Sequence, residues 1–242
     1  MLQAKFEILS NRSLAPNVYE MKLRGDVSGV TAPGQFVQIQ LPGFFLRRPI
    51  SVCDVEGDVL TLIYKVVGRG TEAMSELAPG ESLDLLTGLG NGYDLTLCGD
   101  RPLLIGGGAG VPPMYLLAKR LIGGGKHVTA ILGFNTASEV FYEDAFHKLG
   151  AEVIVATADG SYGVKGFVTD AMEGVSYTHI CACGPEPMLR AVYGREGAGQ
   201  FSFEERMGCG FGACMGCSCK TKYGNFRICV DGPVLKKEEI AW

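Results

Sequence analysis

The stretch MGCGFGACMGCSCKTKYGNFRICVDG, residues 207–232, holds five cysteines in a glycine-rich setting. Cys209, Cys214, Cys217 and Cys229 follow C-x4-C-x2-C with a fourth cysteine after eleven more residues, the order of spacings used in plant-type [2Fe-2S] ligation. Two irons and two sulfides need four thiolates converging on one side. Gly208, Gly210, Gly212, Ala213 and Gly216 let a loop wrap that closely and aim backbone N–H groups at sulfur. Zinc is the competing metal, but a structural zinc knuckle uses two C-x2-C pairs, and only Cys214 and Cys217 make one. Packing by buried free thiols is the plainer alternative. Cys219 is left over, and the CSC tripeptide puts it within reach of the ligand position given to Cys217.

Two glycine-bearing segments point to a nucleotide. LLIGGGAGVPPMYLLAKRL is an apolar strand, a glycine turn and a helix with proline near its start, where proline is tolerated. Gly106, Gly108 and Val111 miss G-x-G-x-x-G; what stands is Gly108-x-Gly110-x-x-Pro113. Such a turn lets backbone approach a pyrophosphate at the positive end of a helix, though alone it is equally a tight strand-to-helix connection. The second segment, CACGPEPMLRAVYG, carries Cys183-Gly184-Pro185-Glu186-Pro187-Met188 at the end of a late strand, the place for a nicotinamide in a sheet with a switch point. LGFNTAS, closing an earlier strand, offers neither a base for a 2′-phosphate nor an acid for a ribose, and NADH is preferred to NADPH.

A [2Fe-2S] cluster moves one electron and a nicotinamide moves two as hydride, so a chain with both needs a converter, and flavin is the natural one. LRRPISV at 46–52 offers an arginine for pyrophosphate and a serine beside an isoalloxazine. YKVVGRGTEAM brings Gly70 and Thr71 to a helix start suited to phosphate; a solvated pair is the plain alternative for Arg47 and Arg48. The expected chemistry is hydride transfer between flavin N5 and nicotinamide C4, single electrons between flavin and cluster, and no general acid or base from this chain.

These groups need three supports. FVQIQL at 36–41 alternates, VLTLIYKVV at 59–67 is β-branched, and Pro33-Gly34, Pro42-Gly43 and Glu56-Gly57-Asp58 mark turns. They predict a small antiparallel β-barrel over 1–97, interrupted by one helix near 71–77. From 98 to 199 strand and helix alternate: PLLIGGG, PMYLLAKRLI, HVTAILGF, VFYEDAFHKLG, AEVIVAT, THICACG, PEPMLRAVYG. That order predicts a doubly wound parallel α/β sheet. Residues 200–242 are too few to core themselves without a staple, which the cysteines supply.

Composition narrows the function classes. Hydrophobic residues make up 47% of 242, enough for packed domains, and 35 glycines are roughly double the usual share, suiting loops that approach ligands. A net charge of −4 with no basic run argues against a nucleic-acid partner. The longest uncharged run, 102–118, is broken by glycines and prolines, which predicts no membrane span. Lys5 and Glu7 interrupt the apolar N-terminal stretch, so no secretory leader and a cytoplasmic location are expected. Reduced thiols follow from that location, and Cys53, Cys98 and Cys181 read as small buried apolar residues. G-x-S-x-G, H-E-x-x-H and a Walker lysine are missing, and His127, His147 and His179 are scattered. Glu204-Glu205-Arg206, just before the cluster motif, reads as a solvated face or as a group orienting the tail near flavin.

Arg48-Pro49-Ile50-Ser51, Gly70-Thr71, Gly108-Ala109-Gly110-Val111-Pro112, the Cys183–Met188 segment and the cysteine run resemble the ferredoxin reductase superfamily. More narrowly, LRRPISV, LGFNTASEVFYEDAF, GFVTD, CACGPEPML and ERMGCGFGACMGCSCKT, in this order, resemble the electron-transfer subunits of class 1B dihydroorotate dehydrogenases. The resemblance implies an FAD barrel holding its cofactor through Arg48, Pro49, Ile50, Ser51, Ile63, Tyr64, Lys65, Gly70 and Thr71. It implies NAD at Gly108, Gly110, Val111, Pro112, Cys183, Gly184 and Met188, and a [2Fe-2S] cluster on Cys209, Cys214, Cys217 and Cys229. The implied partner is a separate FMN-containing subunit that oxidises dihydroorotate to orotate in pyrimidine biosynthesis, two copies of each forming a hetero-tetramer. Superfamily reductases often end in an aromatic that shields the flavin, whereas this chain continues into the cysteine module, so Trp242 is not given that role. The competing functions are an NAD(P)H-dependent ferredoxin or sulfur reductase or a hydrogenase diaphorase subunit, and a zinc-stapled nucleotide-binding protein without catalysis.

Overall fold

Charges alternate with apolar residues at the start of the chain, and that alternation is a strand. The computed structural model describes residues 1–242. In β1 (Leu2–Ala15) Lys5 and Glu7 face solvent while Phe6 and Ile8 are buried, so the charges that interrupt the N-terminal stretch are its outward half. β2 (Val18–Arg24), β3 (Phe36–Gln40), β4 (Arg48–Glu56), β5 (Val59–Lys65) and β6 (Ser82–Leu89) join it. The six close into an antiparallel barrel in the order β1-β2-β5-β4-β3-β6, which leaves no open edge. Met21, Leu23, Val37, Ile39, Leu60 and Leu85 are among the residues that fill it. Helix α1 (Arg69–Ser75) begins two residues before the expected 71–77, because the Thr71 hydroxyl accepts from the Val67 and Gly68 N–H groups and closes the turn earlier.

The second unit is a seven-stranded sheet. Its strands are β7 (Pro102–Gly107), β8 (Thr129–Phe134), β9 (Glu152–Thr157), β10 (Val164–Lys165), β11 (His179–Cys183), β12 (Gly199–Ser202) and β15 (Val234–Lys236). The order is β10-β9-β8-β7-β11-β12-β15. The winding reverses between β7 and β11, which opens a crevice at their carboxyl ends. α2 (Val111–Gly123), α3 (Glu143–Leu149) and α4 (Glu186–Tyr193) cover the faces. The helix expected over 140–150 is shorter, since Tyr142 takes a left-handed conformation (φ 68°) directly before α3.

One correction concerns parallelism: β15 runs antiparallel to β12. The chain returns from the cysteine unit and covers what would be an open sheet edge. The expected division at 199/200 therefore cuts through β12, and of the tail residues 203–233 and 237–242 stand outside the sheet. Within them β13 (Ser218–Thr221) and β14 (Gly224–Arg227) form a hairpin. Phe36, Leu86 and Leu89 of the barrel, Phe201 and Phe203 after it, and Cys217, Ile228 and Cys229 share one core, so the small unit is stabilised by burial against both neighbours.

Polar links fix the barrel against the sheet. Lys119 of α2 reaches both carboxylate oxygens of Asp54 at 2.9 Å. Tyr142 donates to Glu20 Oε2 at 2.8 Å, and Arg12 pairs with the other oxygen of that nearly fully buried carboxylate at 2.8 Å. No helix is long and apolar enough to cross a membrane.

Candidate functional site

The crevice at the switch point is a cleft of about 570 Å³. Its floor is backbone. Gly107, Gly108 and Gly110 end β7 and lead into α2, and Gly184 follows β11. A Cβ on Gly110 would collide with the Cys183 carbonyl, and one on Gly107 would lie 2.5 Å from Met188 Sδ. The two segments therefore touch because Gly107 and Gly110 carry no side chain at the contact. Gly108, Gly110, Gly184 and Met188 all line the cleft as expected.

Three other expected residues do not line it. Val111 and Pro112 are buried in the first turn of α2, and Cys183 is buried in the core beneath the cleft. Their apolar side chains pack the helix onto the sheet. Burial, aided by the Glu204 charge, pushes the Cys183 thiol up to about 12, so it stays protonated and offers no base.

The opposite wall adds residues that local patterns did not indicate. Phe134, Asn135 and Glu139 come from the end of β8 and the turn after it, and Phe167 and Thr169 from the loop after β10. Glu139 corrects the expectation that no acid stands there. A 3₁₀ turn over Ala137–Glu139 brings it back to the strand end, where its Oε2 accepts from Asn135 N (3.2 Å) and Nδ2 (2.8 Å). Counting five residues past the strand end would have found it. Glu204, an exposed residue, also lines the cleft, where desolvation by its surroundings raises its carboxyl above the ordinary value.

Lys65 is the barrel residue that reaches this cleft. Its neighbours in the expected flavin set are turned away: Ile63 is buried in the core shared with the sheet, and the Tyr64 hydroxyl donates to Asn11 Oδ1 at 2.9 Å. Arg48, Pro49, Ile50 and Ser51 lie half-buried at the start of β4. Arg48 sits over the Phe44 ring at 4.7 Å and donates to the Leu46 carbonyl. A Cβ on Gly70 would collide with the Arg48 guanidinium, so that cation lies across the start of α1. This arrangement fits a flavin diphosphate, which would meet a cation and unpaired helix N–H groups together. The Thr71 hydroxyl is engaged in its own turn through the Gly68 carbonyl at 3.0 Å. Arg47 is separate: it binds Asp84 Oδ1 at 2.5 Å and is a structural ion pair.

The cluster cysteines fall into two pairs. Cys214 N and Ala213 N donate to Cys209 Sγ at 3.4 and 3.2 Å, which joins Cys209 and Cys214 through the backbone. Cys229 N donates to Cys217 Sγ at 3.4 Å, which joins the second pair in the same way. Two thiols for each of two irons is the donor set a [2Fe-2S] cluster takes. Burial would push the Cys209 thiol up, but the N–H groups of Phe211, Cys214 and Ala213 and the Cys214 thiol outweigh it and bring it down to about 6. Cys219 lies on β13 with its thiol toward the Lys220 carbonyl at 3.7 Å, outside both pairs. Cys53, Cys98 and Cys181 are fully buried as expected. Trp242 packs against Tyr193, Phe201 and Phe203 under the Arg190 guanidinium, away from the cleft lining.

Comparison with known proteins covers the whole chain. Residues 204–241 match the family described as the iron-sulfur cluster binding domain of dihydroorotate dehydrogenase B, and residues 104–193 the oxidoreductase NAD-binding domain. The chain is 44% identical over 256 residues to the protein named dihydroorotate dehydrogenase B (NAD(+)), electron transfer subunit, of Bacillus pumilus (strain SAFR-032), covering 100% of this chain and 99% of that one. The protein of the same name from Geobacillus sp. (strain WCH70) is 44% identical over 255 residues, with 99% of each covered. A solved structure of an NADH-dependent reduced ferredoxin-NADP oxidoreductase, described for flavin-based electron bifurcation, superposes with a TM-score of 0.89 at 31% identity, covering 98% of this chain and 90% of that one. A ferredoxin NADP+ reductase from Neisseria gonorrhoeae with bound FAD and NADP shares the fold, with a TM-score of 0.70 at 16% identity over 79% of this chain and 89% of that one.

Proposed function

Because the chain belongs to the family of dihydroorotate dehydrogenase B electron transfer subunits, we propose that it passes electrons from a catalytic subunit that oxidises dihydroorotate to orotate on to NAD+. The observation that carries this is the meeting of Lys65 from the barrel with Gly108 and Gly184 from the sheet in one cleft, while the paired cysteines pack on the same barrel through Phe36. A two-electron site and a one-electron site would then both adjoin the barrel that would hold the flavin.

The barrel, 1–97, would hold FAD; the sheet, 98–199, the nicotinamide; and 200–242 the cluster. When bound, FAD exchanges hydride with the nicotinamide and single electrons with the [2Fe-2S] cluster. Arg48 and the start of α1 would neutralise the flavin diphosphate. The glycine turn at 108–110 would take the dinucleotide pyrophosphate, and Glu139 a ribose hydroxyl, which favours NAD+ over a 2′-phosphorylated dinucleotide. Met188, lining the cleft, and Cys183, in the core below it, would support the nicotinamide from beneath.

The partner is a catalytic subunit carrying FMN, in a hetero-tetramer with two of each chain. Phe211, Met215 and Val230 are exposed around the cluster loop, and this apolar face would dock it. Co-purification of a flavoprotein that turns dihydroorotate and NAD+ into orotate and NADH tests the assignment. An eluate that oxidises NADH yet leaves dihydroorotate untouched would reassign the partner. The second reading, a ferredoxin-linked reductase, is favoured by the 0.89 TM-score match and predicts that second outcome.

A further inference from the structure

Strand β3 runs between the flavin motif and the cluster loop, and its alternation leaves one polar side chain between them. Val37 and Ile39 face the barrel interior, while Phe36 packs outside it with Cys217 and Cys229. Gln38, two residues beyond Phe36, takes the same outward side and is fully buried. It pairs across the strands with Pro49 of the flavin motif, and a Cβ on Gly210, next to Cys209, would collide with its Nε2. Gly210 has a φ of +78°, a conformation that lets the loop close over the amide.

Neighbouring glutamines have partners. Gln35 Oε1 accepts from the Thr31 and Ala32 N–H groups, and Gln40 Nε2 donates to the Leu41 and Phe44 carbonyls. Gln38 has none: both Nε2 and Oε1 are buried without a hydrogen bond. A buried amide in that condition is costly, and a leucine would pack there without the cost. Arg47 also donates to the Gln38 carbonyl at 3.3 Å while held by Asp84, so the strand is fixed where the amide projects.

We propose that Gln38 is a positioning and tuning residue whose Nε2 donates to the sulfur side of the cluster held by the Cys209–Cys217 loop. The inference rests on the [2Fe-2S] reading. A donor to cluster sulfur stabilises the more negative, reduced state and raises the reduction potential, which sets the step between cluster and flavin.

The test is an EPR-monitored redox titration of the complex of both subunits with FAD and cluster loaded, wild type against Gln38→Leu. The variant's reduced-cluster signal is expected at a more negative potential, with the flavin midpoint, followed by visible absorbance, unchanged. A cluster midpoint equal to wild type overturns the proposal, as does a shift confined to the flavin, which would give the amide to FAD. If Gln38→Leu does not load the cluster, the isosteric Gln38→Glu decides the same way: its charge must move the cluster midpoint negative, and an unmoved midpoint overturns the proposal. A wild-type complex without any [2Fe-2S] signal overturns the cluster reading and the proposal with it.

Discussion

In the cleft at the switch point the floor is backbone, ending strands whose own side chains are buried on both faces of the sheet. In the cluster loop the working groups are side chains on irregular backbone, with Cys214 exposed, Cys209 half-buried, and Cys217 and Cys229 buried. The first site is a consequence of the fold and exists whether or not a ligand binds. The second helps to make the fold, because its inner pair belongs to the core that joins barrel, sheet and tail. Damage should therefore be local in effect at the outer cysteines, and structural at the inner ones.

The largest effect separates the two regions outright. Cys214→Ser should leave flavin reduction by NADH intact while electron passage to the catalytic subunit falls to background, read by anaerobic flavin bleaching beside an NAD+-linked dihydroorotate assay. Persistent passage would refute the cluster's role. Cys229→Ser should do the same and also lower the melting temperature, since a hydroxyl in that buried position costs about 1–3 kcal/mol when unpaired; equal melting of the two variants would erase the inner–outer distinction.

Gly110→Ala probes the cleft from the other side. Its methyl group would press on the Cys183 carbonyl, overpacking worth about 1–3 kcal/mol. A raised KM for NAD+ with an unchanged cluster EPR spectrum is expected, and an altered spectrum would show the regions to be coupled. Glu139→Gln is milder: losing a charge-assisted hydrogen bond of about 1.5 kcal/mol should narrow the preference for NAD+ over NADP+ roughly tenfold, measured as the ratio of kcat/KM values.

The smallest effect concerns pH. Burial lowers the His179 pKa below its ordinary 6.5, against the opposing pull of Glu238 and Asp94. The Gln200 amide lies 3.2 Å from its Nε2, so the ring is held neutral. The unfolded chain then binds a proton at higher pH than the folded one, and this part of the stability, complete above 6.5, is lost as pH falls toward the lowered folded value. His179→Gln should flatten the decline in melting temperature over that range.

Legibility differed between the regions for the same reason. That the tail belongs to an iron-sulfur domain was readable because the spacing of Cys209, Cys214, Cys217 and Cys229 is local in the chain. Gly108, Gly110, Gly184 and Met188 were readable because strand ends carry the cleft. Val111, Pro112 and Cys183 shared those motifs yet pack the core, since a motif records chain position and not which side a residue faces. Glu139 and Phe167 were not found because a 3₁₀ turn and a long loop bring them in. The antiparallel β15 was missed because a three-residue strand has too little pattern to show itself.

By itself the sequence determined the kinds of chemistry: thiol spacing for a cluster, glycine turns at strand ends for a dinucleotide, and an arginine motif for a flavin between them. Those are local, so neighbouring residues suffice to write them. Only the tertiary structure decided how the thiols pair, which barrel residue meets the nicotinamide cleft, and that Gln38 lies under the cluster loop. Each of these joins residues far apart in the chain, and such contacts exist only once packing has brought the barrel, the sheet and the tail together.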